Sequence, residues 1–200
     1  WNRWAVAVRA AGDGRLHPVG HVSLRGDLDW LDGQLRALSA GGVRLAMMST
    51  GLVDGRRLSH PELDRAWSLF TEHGITPTFH VGGTSLVGML DAAWTANDDM
   101  DYMPMLSFPL HGTDAQLALS DLVLGGVLDR HPQLHVAVVE LLSRWIGDLM
   151  FKVDAAYDTY RRITGHRLVQ LSERPSDYLR RQVRISSFAS EKPGALMKQV

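Results

Sequence analysis

The sequence predicts an α/β fold in which a parallel sheet is built from alternating strands and helices. Short apolar stretches rich in β-branched residues alternate with stretches whose apolar residues recur at helical spacing. The 200 residues are 45% hydrophobic and 22% charged, which is ordinary for a globular domain with one core. The glycine pairs follow strands or helices singly and do not spell the GxGxxG of a dinucleotide-binding sheet, so a (β/α) TIM barrel is the favoured architecture.

The first half of the chain predicts three strands and the helices between them. The strands are expected at Leu16–Leu24, Val43–Thr50 and Thr76–Gly82. The first helix carries a leucine stripe on one face, formed by Leu28, Leu31, Leu35 and Leu38. Gly41 and Gly42 end this helix, and the next one begins near Pro61 and ends at Gly74, the usual asymmetry of helix ends.

The second half repeats the pattern after a long irregular stretch. A helix stopped by Pro132 leads to a strand at His135–Leu141. The amphipathic helix that follows has apolar residues at helical spacing: Ile146, Leu149, Met150, Val153, Ala156, Tyr157 and Tyr160. A short helix at "SDYLRRQ" then leads to a last strand at Val183–Phe188, which makes five predicted strands.

Two of the predicted strands end in a polar side chain. In the third strand Thr78 and His80 share one face, because side chains alternate along a strand. In the fourth strand Val136, Val138 and Glu140 share one face by the same rule. The carboxyl ends of barrel strands converge on one pocket, so His80 and Glu140 are expected to meet there.

A histidine and a glutamate placed in this way suit two kinds of chemistry. They can bind a divalent metal together, or they can serve as metal ligand and general base. The structural alternatives are a hydrogen-bonded His80 in the core and a Glu140 that caps a neighbouring helix or pairs with Arg144. Seven other histidines stand at strand starts, helix ends or surfaces and are expected to be structural: His17, His21, His60, His73, His131, His135 and His166.

The stretch between Gly83 and Thr113 is too long for an ordinary connection between a strand and a helix. Long insertions at that end of a barrel are usually lids or substrate-binding loops. We expect residues 84–112 to shape a substrate pocket, with contacts from Trp94, Tyr102, Pro104 and His111. The alternative is a packing loop or an oligomer contact rich in methionine and aromatic side chains.

The composition excludes several classes of function. A net charge of −1 argues against a nucleic-acid-binding surface, and no apolar run reaches the length that crosses a membrane. The chain has no cysteine, so it has no disulfide, no cysteine zinc site and no thiol nucleophile. This fits a reducing compartment, and we expect a cytoplasmic protein.

Several segments together resemble a known family. They are "WNRW", "GVRLAMMS", "HPELDRAWSLFTEHGITPTFHVGG", "LVLGGVLDRHPQLHVAVVELLSRWIGDLMFKVD" and "PSDYLRRQVRISSF". In these segments the chain resembles the metal-dependent amidohydrolases, in the amidohydrolase-related branch similar to aminocarboxymuconate-semialdehyde decarboxylase. The resemblance implies a (β/α)8 barrel that holds a divalent metal ion, usually zinc. It also implies an enzyme that hydrolyses, or decarboxylates without oxidation, a small carboxylic acid of aromatic or muconate type.

The resemblance also assigns residues. His80 matches the metal-ligand histidine at the end of the fifth barrel strand, and Glu140 stands at the sixth-strand position, where many relatives have a catalytic or ligand histidine. The family's His-x-His pair on the first strand and its metal-binding aspartate on the last strand have no counterpart here, and "PSDYLRR" begins a helix rather than supplying that aspartate. Residues 1–200 are therefore expected to form the central portion of a single barrel domain.

Such a portion would expose strand edges and apolar helix faces, so we expect it to associate as a homo-oligomer. Its expected partner is a small acidic substrate. The alternative is a metal-free relative or fragment of the barrel family that binds a ligand or has no activity.

Overall fold

The computed structural model describes residues 1–81, 108–164 and 169–198. Within these ranges a five-stranded parallel sheet has its strands side by side in chain order. The strands are β1 (Gly20–His21), β2 (Leu45–Met47), β3 (Thr76–His80), β4 (Val136–Val139) and β5 (Val183–Ile185). Sequential parallel order is that of a barrel wall and not of a doubly wound sheet, which confirms the predicted fold class as part of a TIM barrel.

Helices connect or flank the strands. They are α1 (Asn2–Ala11), α2 (Leu28–Ala40), α3 (Asp64–His73), α4 (Thr113–Leu124), α5 (Val127–Arg130), α6 (Ile146–Thr164), α7 (Pro175–Gln182) and α8 (Pro193–Leu196). The Asp27 carboxylate caps α2 by accepting a hydrogen bond from the Asp29 amide, and left-handed Gly74 ends α3 as predicted. Among the described residues, none of these helices has the length and apolarity needed to cross a bilayer.

Several sequence predictions differ from the structure; β2 and β5, for example, are shorter than the strands expected at Val43–Thr50 and Val183–Phe188. The strand expected at Leu16–Leu24 is reduced to Gly20–His21, because only these two residues pair with β2. The helix α1 was not predicted from the sequence. The helix expected to run to Pro132 is broken into α4 and α5 at two glycines. Gly126 is left-handed with φ of +74°, and a Cβ on Gly125 would lie 2.2 Å from the Ser59 Cβ.

The two faces of the sheet have different environments. Right-handed crossovers between neighbouring strands bring every connecting helix to the same side. On that side Phe79 and Val138, paired across β3 and β4, are fully buried in the core. On the other side His80 and Val139, also paired, are only half-buried. The second face corresponds to the inside of the barrel wall, and its carboxyl edge is where barrel enzymes bind their ligands.

Gly112 packs the segment before α4 against the loop after β4. Its φ is +86°, a left-handed conformation that a side chain strains. A Cβ at this position would lie 2.4 Å from Trp145 Nε1 and 2.5 Å from the Leu141 carbonyl oxygen. Gly112 thus permits both the turn and a close approach that no other residue type could make.

We expect Gly112→Ala to lower the free energy of unfolding by about 2–4 kcal/mol, because it adds steric overlap to left-handed strain. Gly14→Ala is the matched control, since Gly14 has φ of +75° but a Cβ added there would meet no atom within 4 Å. The control should lose only about 1 kcal/mol. Urea unfolding of both variants measures the difference, and equal losses would contradict the packing role of Gly112.

Candidate functional site at the carboxyl edge of the sheet

His80 ends β3 at the carboxyl edge of the sheet. Its Nδ1 lies 2.8 Å from the carbonyl oxygen of Val81. A carbonyl oxygen only accepts hydrogen bonds, so Nδ1 carries a proton and donates it. This bond fixes the orientation of the ring and leaves Nε2 as the atom available to a partner.

That partner is Glu140, which follows β4. Its Oε2 lies 2.9 Å from His80 Nε2, so the structure brings the two side chains together, as their places at the strand ends predict. A contact of this length needs one proton between the two atoms. The His80 and Glu140 side chains are 34% and 51% exposed, so a small molecule at the barrel mouth can reach both.

Glu140 reaches His80 by a route that strand alternation does not predict. The register pairs His80 with Val139 and Phe79 with Val138, so strict alternation would turn Glu140 to the helix side together with Val138. The expected shared face of Val136, Val138 and Glu140 is therefore wrong. Glu140 has φ of +58°, and this left-handed backbone directs its side chain to the opposite face.

The loop after Glu140 is anchored by Glu191, a residue that no motif in the sequence singles out. The Glu191 carboxylate accepts hydrogen bonds from the Ser143 amide (2.9 Å), the Ser143 hydroxyl (2.9 Å), the Arg144 amide (3.0 Å) and the Phe188 amide (2.7 Å). It is only 9% exposed. Within the same loop Leu142 is left-handed as well, with φ of +59°. Glu191 therefore holds a strained turn in place.

The pKa of Glu191 is lowered in the folded chain. Burial by itself raises the pKa of a carboxyl group, but the hydrogen bonds from the Phe188, Ser143 and Arg144 amides and from the Ser143 hydroxyl outweigh it. These donors all bind the ionised form. The anchor therefore works as a carboxylate.

His111 lies next to this loop, one residue before Gly112. Its ring is 5.1 Å from the ring of Phe108, which in turn is 5.6 Å from the ring of Phe188. The Nδ1 atom of His111 is buried and has no hydrogen-bond partner among the residues that the structure describes. The other expected substrate contacts, Trp94, Tyr102 and Pro104, lie outside the described residues.

Several other histidines have structural partners, as expected. The His73 Nε2 lies 2.7 Å from Asp32 Oδ1, and the His131 Nε2 lies 3.0 Å from Asp64 Oδ1. His21, which was also expected to be structural, ends β1 at the same edge as His80 and lines a cavity of about 370 Å³. The signal that selected His80, a polar residue at the end of a strand, also applies to His21.

His80 and Glu140 fit a divalent metal ion by type, since imidazole nitrogen and carboxylate oxygen are ordinary ligands of zinc and manganese. The hydrogen bond from Nδ1 to a carbonyl is also the usual support of a metal-binding histidine. In the described part of the chain no group of three or more histidine, cysteine, aspartate or glutamate residues could hold a metal ion. Catalytic metal sites usually have three protein ligands, so the pair alone could form only part of such a set.

Replacing Glu191 by glutamine tests the anchor of the loop. Because its pKa is lowered on folding, Glu191 stabilises the chain fully above its unfolded pKa of about 4.3 and loses this effect as the pH falls through the lower folded value. We expect Glu191→Gln to lower the free energy of unfolding by about 1–3 kcal/mol at neutral pH. The free energy of unfolding of this variant should also decrease less than that of the wild type as the pH is lowered. Urea unfolding across the acidic range measures both effects.

Glu62→Gln is the control, because Glu62 is 64% exposed and pairs with Arg56 at the surface. Its effect on the free energy of unfolding should stay below about 1 kcal/mol. A Glu191→Gln variant that behaves like this control at every pH would contradict the anchoring role.

Neither protein-family models nor curated proteins match this chain, but solved structures do. An amidohydrolase from Mycobacterium avium subsp. paratuberculosis is 22% identical with a TM-score of 0.72, over 92% of this chain and 45% of that chain. The 5-carboxyvanillate decarboxylase from Sphingomonas paucimobilis is 15% identical with a TM-score of 0.71, over 99% and 56%. A manganese-containing 5-carboxyvanillate decarboxylase from Novosphingobium aromaticivorans is 18% identical with a TM-score of 0.71, over 93% and 51%.

The chain thus spans about half the length of these structures. At these identities the likeness concerns the fold. The resemblance seen in the sequence is confirmed at that level, since the structural neighbours are amidohydrolases and related decarboxylases. The chain has the fold of amidohydrolase-family enzymes over one part of their TIM barrel.

Proposed function

We propose that this chain is part of a metal-dependent enzyme that hydrolyses or decarboxylates a small carboxylic acid. The observation that carries the proposal is the 2.9 Å contact between His80 Nε2 and Glu140 Oε2 at the carboxyl edge of a barrel sheet. Neighbouring structures support the kind of reaction, because three of them are 5-carboxyvanillate decarboxylases and two of these contain manganese. Aromatic carboxylic acids are accordingly the substrates to test first.

In this proposal His80 is a metal ligand. The hydrogen bond from Nδ1 to the Val81 carbonyl keeps the ring in the tautomer whose Nε2 has a free electron pair once the proton shared with Glu140 leaves. A bound divalent ion polarises a carbonyl or carboxylate group, or lowers the pKa of a bound water to about 7. Manganese and zinc are both candidates.

Glu140 is the acid–base group. Its carboxylate is half-exposed and turned towards the inner face, so Oε2 can take a proton from a water molecule or return one to the substrate. Hydrolysis uses the first transfer, and decarboxylation uses the second to protonate the carbon that loses CO₂. His80 and Glu140 share their hydrogen bond only while Nε2 holds no metal ion. When Nε2 binds a metal, the turn anchored by Glu191 keeps Glu140 on the inner face.

We also propose roles for the residues of the expected substrate pocket. Trp94, Tyr102, Pro104 and His111 contribute to the substrate pocket, and the buried, unpartnered Nδ1 of His111 supports a polar contact there. The chain is also proposed to associate with itself as a homo-oligomer and to be located in the cytoplasm. The absence of cysteine supports the location.

His80→Ala should weaken binding of Mn²⁺ or Zn²⁺ to the purified chain by about tenfold or more, because one ligand is lost. Isothermal titration calorimetry of each metal measures the affinity. His135→Ala is the matched control, since His135 precedes β4 at the opposite end of the sheet and, among the described residues, bonds to the nearby Gln133 carbonyl. A wild-type chain that binds neither metal, or a His80→Ala variant that binds as well as wild type, would contradict the ligand role.

Glu140→Gln should lower kcat by about 10²–10⁴-fold, because glutamine cannot transfer the proton. Release of CO₂ from 5-carboxyvanillate in the presence of Mn²⁺ provides the assay. The metal affinity of this variant separates the two candidate roles of Glu140. A loss of affinity as large as that of His80→Ala would make Glu140 a ligand, and an unchanged kcat would exclude it as the acid–base group.

A further inference from the structure

A second concave feature lies beside the His80–Glu140 pair. It is a cavity of about 370 Å³ beyond the carboxyl ends of β1 and β2. We call it the β1–β2 cavity; its lining includes His21, Ser23, Arg25, Met47, Ser49 and Leu52. The volume is within the range that binds small organic molecules. Neither His80 nor Glu140 is among the residues that line it.

The β1–β2 cavity lies on the same side of the sheet as His80. The register pairs His21 with Met47 and Met47 with Thr78, and Thr78 shares a face with His80. Adjacent strands are about 4.8 Å apart, so β1 lies roughly 10 Å from β3. A single small molecule can therefore have one end in the cavity and the other at the His80–Glu140 pair.

The lining combines apolar walls with one guanidinium group. Met47, Met48 and Leu52 supply the walls. The Arg25 Nε lies 3.9 Å from Asp54 Oδ1, and its Nη2 donates a long hydrogen bond of 3.3 Å to the Leu52 carbonyl. The Arg25 and Asp54 side chains are 68% and 58% exposed, so this ion pair is weak and readily exchanged.

A guanidinium group that is held this loosely can turn to a stronger acceptor. A carboxylate accepts two parallel hydrogen bonds from it, which neither the offset Asp54 carboxylate nor a carbonyl oxygen provides. The methionine walls suit a flat apolar group, because thioether sulfur packs well against aromatic rings. Arg25 and the walls thus match the two ends of one kind of molecule.

We infer that the β1–β2 cavity binds a small carboxylic acid with a flat apolar body, and that Arg25 binds its carboxylate while Met47 and Leu52 contact the body. This inference rests on the proposed function, since it assigns one end of the same substrate. The Asp54 carboxylate competes with the ligand for Arg25. The opposite end of the ligand faces the His80–Glu140 pair.

Benzoate binding to the purified chain in EDTA tests the inference without any metal. Isothermal titration calorimetry should show that Arg25→Gln binds benzoate about tenfold more weakly than wild type, because a charge-assisted hydrogen bond is lost. Asp54→Asn should bind it severalfold more tightly, because the competing carboxylate is gone. Arg36→Gln is the matched control, since Arg36 is 69% exposed and lies on α2. Benzamide, which has the same ring and no charge, should bind at least about tenfold more weakly than benzoate.

Equal affinity of wild type and Arg25→Gln for benzoate, or equal affinity of wild type for benzoate and benzamide, would overturn the inference. If Arg25→Gln does not fold, Asp54→Asn decides, and an unchanged affinity there overturns it. Because these titrations contain EDTA, no metal ion contributes to the affinity that they measure. If the chain binds benzoate through Arg25 but binds no metal ion, only the proposed function is contradicted. If it binds a metal ion but no benzoate, only this inference is contradicted.

Discussion

The left-handed backbone at Glu140 is the constraint on which the candidate site depends. It turns the side chain from the helix side of the sheet to the inner side, where Oε2 lies 2.9 Å from His80 Nε2. A non-glycine residue in this conformation costs about 1–2 kcal/mol, so surrounding contacts must hold it. Glu191 supplies them through its hydrogen bonds to the Ser143 and Arg144 amides. Local strain and a distant buried carboxylate together position the Glu140 side chain.

The order of the strands explains why polar side chains collect at one edge. A parallel sheet with sequential strands buries one face under helices and leaves the other as the inside of a barrel wall. Phe79 and Val138 are fully buried on the helix side. His80 and His21, which end β3 and β1, are on the other side and near solvent. The fold thus separates the stabilising core from the chemistry.

The His80–Glu140 pair and the β1–β2 cavity complement one another chemically. The pair offers an imidazole nitrogen and a carboxylate, which suit proton transfer and metal binding. The cavity offers a cationic group and apolar walls, which suit orientation of an acidic substrate. The strands β2 and β3, which border the two features, are neighbours, and both features are at the carboxyl edge where barrel enzymes carry their active sites.

The sequence by itself determined the α/β class, the strand that ends at His80 and most helices, because hydrophobic periodicity and glycine or proline at helix ends are local signals. It also placed a polar residue at the ends of β3 and β4. Only the tertiary structure decided which face Glu140 occupies, because its left-handed φ occurs at the start of a loop that Glu191 anchors through Ser143, 48 positions away in the chain. The place of His21 in a cavity was likewise decided by register with β2, since pairing between strands is a long-range property.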